Sequence, residues 1–308
     1  MREKTYLTLF LLGLLIFNCH SFEPKIVSDF YIYSAWEFSC FFKKIGYKDF
    51  KNIDELMISR NSDGTELRFF HRYKNIALFI DTTGTIVEKK VPGVVAWFDD
   101  KQNTVIWCDW DKEGKHVYVH YPDSSIEQKT LPALQFAIDC GLDQTGEFMI
   151  RDQLDSPNQF SYIYHVNNPQ DPLEKVPIVG GGITRMYSSK NKLFLIGWNE
   201  SAYPNVHDIK TCFIYEIKDD VGLNFLGSKD IARSRKSPTG WWAVDVNFNG
   251  DKILMIDNHD WPERSKYFVY DIKKERFIAE TKEPISGGRG FYLQKDILRE
   301  TLKKQKNK

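Results

Sequence analysis

The chain has 308 residues, 42 basic and 42 acidic, for a formal net charge of zero. That balance gives no global basic field for a nucleic-acid partner, and the length is ample for a large core in one or two domains. Aromatic residues make up 15% of the chain, which favours strands over helices.

Met1 to Lys4 carries two basic residues and one acid, followed by LTLFLLGLLIF, an uncharged apolar run of 11 residues from Leu7 to Phe17. The run is too short to span a bilayer and has the length of the h-region of a secretory signal. No small-x-small cleavage site follows it; it ends in LIFNC, with Cys19 directly after the apolar core. LIFNC resembles a bacterial lipobox, in which the signal is cut before a cysteine that then receives lipid. Ile16 suits its position, whereas Phe17 and Asn18 are bulkier than the small residues usual there. The resemblance implies a signal peptide over residues 1–18, lipidation at Cys19 and a tether over 19–28. The chain would then be held to a membrane of the bacterial cell envelope, periplasmic or surface-exposed. The other reading is a plain exported protein with an incidental cysteine.

Cys40, Cys108, Cys140 and Cys212 remain. Disulfides are permitted outside the cytoplasm, and four cysteines allow three connectivities. None has the C-x-x-C spacing of a zinc or redox site, and buried free thiols are expected for at least two of them.

Five related stretches recur along the chain: SDGTELRFFHR from Ser62, DKQNTVIWCDW from Asp100, DQTGEFMIRDQ from Asp143, SSKNKLFLIGW from Ser188 and NGDKILMID from Asn249. Each is a short polar turn followed by an apolar strand, and each precedes a hairpin-like pair of alternating runs. A proline opens each following unit, at Pro92, Pro132, Pro177, Pro238 and Pro284. Equivalent hairpin positions, Ile80, Tyr121, Val166, Ile217 and Ile272, are spaced by 41, 45, 51 and 55 residues. That period, with four strands a to d per unit, predicts an all-β propeller. The apolar period near two excludes a helical solenoid, and a β-sandwich would not explain three features recurring in one order.

The stretch NSDGTELRFFHRYKNIALFIDTTGTIVEKK resembles the S-x-D-G-x-x-hydrophobic repeat of TolB-like and related WD-type propellers. The resemblance covers one blade well and four loosely, and it implies six blades; five is the other possible count. GGRGFYL after Pro284 fits a sixth strand a, while DFYIYSAWEFSCFF from Asp29 is expected to supply outer strands, so that both termini close one blade. The propeller is expected over residues 29–293, with a basic, helix-compatible tail over 294–308. Gly287, Gly288 and Gly290 enter the last inner strand, where they are expected to relieve crowding at the ring's axis.

In this strand order the b–c loops and d–a links share one face, here called the loop face. The a–b and c–d turns share the other, the turn face. CDWDKEGK, RDQLDSPNQ, GWNESAYPNVHDIK and DNHDWPERSK read as long b–c loops, with Ile253 to Ile256 as strand and DNHDWP as the place where that strand stops. Long loops on a rigid scaffold are where binding usually sits, and tryptophan and arginine suit recognition. The candidate ligand-binding residues are therefore Trp198, Asn199, Trp242, His259, Asp260, Trp261 and Arg289. The expected partner is a protein, peptide or glycan, with no nucleic acid and no cofactor. The alternative is an exported propeller hydrolase of lactonase or glycosidase type, with Asp109, Asp152, Asp257 and His259 as candidates at strand ends. These do not align as one chemical type, since His71, Asp109, Asp152, Trp198 and Asn258 fall at similar places. Asp257, Asn258 and Asp260 also lack the alternating carboxylates and glycine of a calcium loop, so no metal site is assigned.

Overall fold

The structure is a computed structural model. It describes residues 22–71, 73–74, 76–90, 97–99, 104–111, 114–120, 126–130, 140–143, 147–153, 160–165, 168–177, 185–198, 209–218, 222–232, 241–260 and 264–306. The chain enters through β1 (Lys25–Val27) and β2 (Phe30–Tyr33), then α1 (Ala35–Lys44) and two 3-10 turns, Lys48–Lys51 and Ile53–Glu55. Blade one follows with β3 (Leu56–Arg60), β4 (Glu66–His71), β5 (Ile76–Asp81) and β6 (Ile86–Lys90). Blade two holds β7 (Trp97–Asp99), β8 (Thr104–Asp111), β9 (Gly114–His120) and β10 (Ile126–Thr130). Blade three holds β11 (Cys140–Leu142), β12 (Phe148–Gln153), β13 (Phe160–His165) and β14 (Asn168–Pro177). Blade four holds β15 (Arg185–Ser189), β16 (Lys192–Trp198), β17 (Ile209–Ile217) and β18 (Leu223–Ala232). Blade five holds β19 (Trp241–Val246), β20 (Lys252–Asp260), β21 (Arg264–Asp271) and β22 (Arg276–Glu280). The chain ends in β23 (Arg289–Tyr292) and α2 (Ile297–Lys306).

All five blades are antiparallel four-stranded sheets in sequential order, and a sixth, three-stranded sheet pairs β1 with β2 and β2 with β23. The protein is thus a six-bladed β-propeller closed by strands from both ends of the chain, as the repeat predicts. Tyr33 stands opposite Arg289 and Phe30 opposite Tyr292 in the closing register. Closure of this kind pairs the β2 edge that would otherwise stay open. Middle strands have blades on both sides: in β4 every residue from Leu67 to His71 is buried, Arg68 and His71 included. Outer strands are half-solvated, and in β6 no residue is fully buried.

Two expectations about the entry segment are corrected. In DFYIYSAWEFSCFF only the first part is strand, and Ala35–Lys44 is a helix. Ser34 is the cause: its hydroxyl accepts from Glu37 N at 3.2 Å while the Glu37 carboxylate accepts from Ser34 N at 2.6 Å, a reciprocal capping box. The apolar residues beyond it fall at helical spacing, so Phe38, Phe41 and Phe42 are all buried on one face. β1 lies inside the stretch expected to be a tether, so any tether ends before Lys25.

The helices pack in the seam between the closing sheet and blade one. One cluster joins Tyr33, Phe291 and Leu293 of the closing sheet, Phe38, Phe41 and Phe42 of α1, Ile297 and Leu298 of α2, and Leu67, Phe69, Leu78 and Ile80 of blade one. A fully buried Phe or Leu contributes about 1.5–3 kcal/mol relative to exposure, so this wedge carries much of the contact between blade one and the closing sheet. Separate clusters fill the seams between blades three and four, four and five, and five and the closing sheet. Cys40 and Cys212 are both buried, and burial pushes the Cys212 thiol up to about 12.

The turn face is tied together by polar residues at strand ends. Asn61, Asp143 and Asn247 occupy one position of the repeat, and each side-chain oxygen accepts the backbone N–H at the start of the next strand: from Glu66 at 2.9 Å, Phe148 at 3.0 Å and Lys252 at 3.0 Å. Gly64, at φ 75°, closes the first of these turns directly over the Tyr292 ring, where a side chain has no room. Ser188 Oγ donates to Asp143 at 2.5 Å, and Ser189 Oγ reaches the carbonyls of Asn247 at 2.8 Å and Phe248 at 2.6 Å. The turns of blades three, four and five are thereby bonded to one another.

Candidate functional site

The loop face begins where strands β4, β8, β12, β16 and β20 end. DNHD is not the stop of its strand: β20 runs on to Asp260, with Asp257 opposite Lys266 and Asp260 opposite Arg264. The register shifts between those two pairs, with two residues of β20 facing one of β21, which is a bulge in the ladder. The physical reason is that ladder pairing uses backbone groups, and Asp257 placed opposite Lys266 favours continued pairing over a turn. β8 behaves alike. It runs to Asp111, opposite Gly114, so CDWDKEGK is a tight hairpin and not a long loop. The other two readings leave room for loops, since Gln153 pairs with Phe160 and Trp198 with Lys210 at their bases.

The topology gathers the candidate positions at one end of neighbouring sheets. Trp198 is the last residue of β16, Trp242 lies in inner strand β19 opposite Ile256, His259 and Asp260 end β20, and Arg289 opens β23. Trp242 therefore belongs to an inner strand and not to a link. Asn199 and Trp261 lie outside the described residues, as does Cys19. Of the hydrolase candidates, Asp109 lies in β8 and Asp152 in β12, near their loop-face ends.

Arg289 is half-buried, and its Nη1 donates to the Gly288 carbonyl at 3.2 Å. Beneath it, Tyr267 is fully buried, and its hydroxyl has no hydrogen-bond partner among the described residues. Burial drives that phenol far above its usual range, and the Arg289 charge draws it back only in part. The crowding that Gly290 relieves comes from blade five, since a side chain there would strike Leu254.

His71 shows what one of the aligned strand-end positions does. Its Nδ1 accepts from Tyr73 N at 3.2 Å, so the proton sits on Nε2, which lies 3.1 Å from the Asp49 carbonyl and 3.4 Å from a Glu55 carboxylate oxygen. Both nitrogens are engaged and the ring is buried, so His71 braces the two 3-10 turns against blade one. Among the described residues no three His, Cys, Asp or Glu side chains converge as a metal site.

The sequence reading missed a buried ion pair on the turn face. Arg60 ends β3 at 1% side-chain exposure and forks onto Asp245 of β19, with Nε at 2.7 Å and Nη2 at 2.8 Å. Its other donors reach the carbonyls of Asn61, Ser62 and Val246, while Asp245 also accepts from Tyr292 N at 2.7 Å. Three inner strands, β3, β19 and β23, meet in one satisfied network. The available signal was a lone charge within apolar strands, in LMISR and WWAVDV, just before the aligned turns.

No family model matches the chain, and no curated protein matches it. Solved structures similar to it include TolB from Acinetobacter baumannii, with a TM-score of 0.46 and 12% identity over 76% of this chain and 57% of that one. A putative TolB from Agrobacterium tumefaciens gives 0.45 and 10% identity over 77% and 88%, respectively. The Cps50 (Swd1) β-propeller domain of Myceliophteria thermophila gives 0.45 and 8% over 74% and 86%. The chain spans just over half the length of the first of these. At such values the likeness carries no functional argument; the propeller itself is read from the sheets.

Proposed function

We propose that the protein is a lipid-anchored propeller of the bacterial cell envelope that binds a protein, peptide or glycan through its loop face. The observation that supports this reading is the contrast between the two faces. Turns on one face are bonded to each other across blades. At the other face β8–β9 and β20–β21 pair on past the aligned strand ends, and the strands flanking 178–184, 199–208 and 233–240 are separated in sequence by more residues than the strands of any turn on the first face. A stiff underside with an elaborated upper rim is how a scaffold presents a recognition surface. Trp198, Asn199, Trp242, His259, Asp260, Trp261 and Arg289 are the proposed contact residues.

Two measurements test the two halves of the proposal. A photo-crosslinking residue in place of Trp261 should give discrete adducts with envelope material, and the same residue at Asn249 on the turn face should not. Equal adducts, or none, would overturn the binding face. Trp198→Ala and Trp261→Ala should each weaken the interaction so found by about 1–3 kcal/mol if they are anchors. Intact mass of the membrane fraction should show an N-terminal lipidated Cys19; an unmodified N-terminus downstream of Cys19 would end the anchoring half.

A further inference from the structure

A cleft of about 570 Å³ opens between the entry segment at Phe22 and Glu23, the end of α1 at Lys44, and one face of α2. Its apolar part is Phe22 and Leu302; its cations are Lys44, Arg299, Lys303 and Lys306. Four cations against the single carboxylate of Glu23 contrast with a chain whose formal charge is zero.

Ordinary helix electrostatics accounts for only part of this. Lysines in a last turn answer the helix dipole, which covers Lys44, Lys303 and Lys306 taken one helix at a time. It does not explain why the two helices bring them to one cleft. Nor does it explain Arg299, which stands in the first turn of α2, where the dipole disfavours a cation. Arg299, Lys303 and Lys306 follow at spacings of four and three and so share one face. Lys304, between them, turns instead to blade one and donates to Thr85 Oγ1 at 2.9 Å. Lys303 holds Glu300 at 2.7 Å, a surface pair that solvent weakens.

We infer that this cleft is an anionic-phospholipid site, which seats the α1–α2 side of the propeller on the bilayer. The cations would receive lipid phosphates, and half-buried Leu302, packed beside the buried Phe22, the adjoining apolar surface. Phe22 follows Cys19 by three residues, so an anchored chain would leave the membrane at this cleft. One lipid chain binds a membrane only marginally, and a basic patch is the usual second attachment. This deepens the anchoring half of the proposed function, but the cleft and its charges stand without lipid at Cys19.

The test is lysine labelling of the full chain reconstituted in vesicles of phosphatidylcholine alone or mixed with phosphatidylglycerol. With phosphatidylglycerol, a water-soluble amine reagent should modify Lys44, Lys303 and Lys306 several-fold more slowly, and high salt should abolish the protection. The Lys303→Glu/Lys306→Glu pair should reduce the protection of Lys44 by roughly an order of magnitude. A charge-matched Lys229→Glu/Lys274→Glu pair, on blades four and five, should not. Equal labelling in both vesicles would overturn the inference, as would equal loss in the two double variants, which would indicate net charge alone. Protection by inorganic phosphate without vesicles, at matched ionic strength, would also overturn it in favour of a small-anion site. Mass analysis of Cys19 separates the two ideas: protection without lipid sustains the cleft and ends the anchor. A lipidated chain labelled equally in both vesicles does the reverse.

Discussion

At the scale of single residues, the Arg60–Asp245 pair is the most consequential contact in the described structure. Both groups are buried and every donor of the guanidinium is used, so neither partner can be removed without stranding the other. Arg60→Met or Asp245→Ala should each cost about 3–5 kcal/mol in denaturant unfolding, whereas the double variant should cost less than the sum. Additive losses would show the pair to be uncoupled. Asp296 presents the opposite case. Burial raises its carboxyl above the ordinary value, although Arg299 N and the Tyr33 hydroxyl, each at 3.0 Å, favour its charge. A raised acid contributes stability that is present below its unfolded pKa, about 3.9, and lost as pH rises through the folded value. Ionised Asp296 therefore weighs against the fold at neutral pH. Asp296→Asn keeps an oxygen for both donors and should melt at or above the parent at pH 7, with the gain vanishing on acidification. Melting curves across that range check it, and a variant that melts well below the parent at pH 7 would contradict it.

At the scale of elements, α2 wedges against blade one and α1. Ile297 and Leu298 are fully buried against blade one and α1, and the backbone of Thr301 lies against Gly84 of blade one. Truncation after Lys295 should lower the melting temperature by several degrees, since it removes two buried aliphatic side chains worth about 2–5 kcal/mol each when deleted from a core. A truncated chain that melts like the parent would mean that the wedge holds without α2. The blades themselves were legible in the sequence because the turn residues recur: Asn61, Asp143 and Asn247 each cap the next strand, and the polar-turn-then-apolar pattern records that job. The helix α1 was equally written, in SAWE, but its aromatics read as strand when the capping box went unnoticed. The extension of β20 through DNHD was not legible, since Asp and Asn favour turns in isolation and only the pairing with β21, Lys266 opposite Asp257 included, turns the balance. The candidate site was read as far as its face, because strand order alone fixes which connections share a side. How its side chains meet depends on contacts between blades, which no local pattern encodes.

At the scale of the whole molecule, the ring holds through unequal seams. The seam between blade five and the closing sheet is packed by Phe30, Ile32, Leu254 and Tyr267, and Lys252 ties it to Asp29 at 2.7 Å. Burial by itself would raise the Asp29 carboxyl, yet the Lys252 and Asn247 hydrogen bonds outweigh it and hold it below the ordinary value. A lowered acid contributes stability present above its unfolded pKa and lost as pH falls through the folded value. Lys252→Ala should therefore destabilise modestly at neutral pH, and the difference from the parent should shrink in acid; a difference that grows in acid would contradict the assignment. The closing sheet also dictates an order of assembly. β2 is made among the first residues of the chain, and its partner β23 arrives after more than 250 further residues. Until then β2 has no inner neighbour, Asp245 lacks the Tyr292 N–H, and the aromatic wedge of α1 has nothing from β23 to pack on. During synthesis the protein thus carries an open seam that must be kept from pairing with other chains. Completion of the ring waits for β23, which supplies the last strand pairing, the Tyr292 N–H of the ion-pair network and Phe291 of the helical wedge.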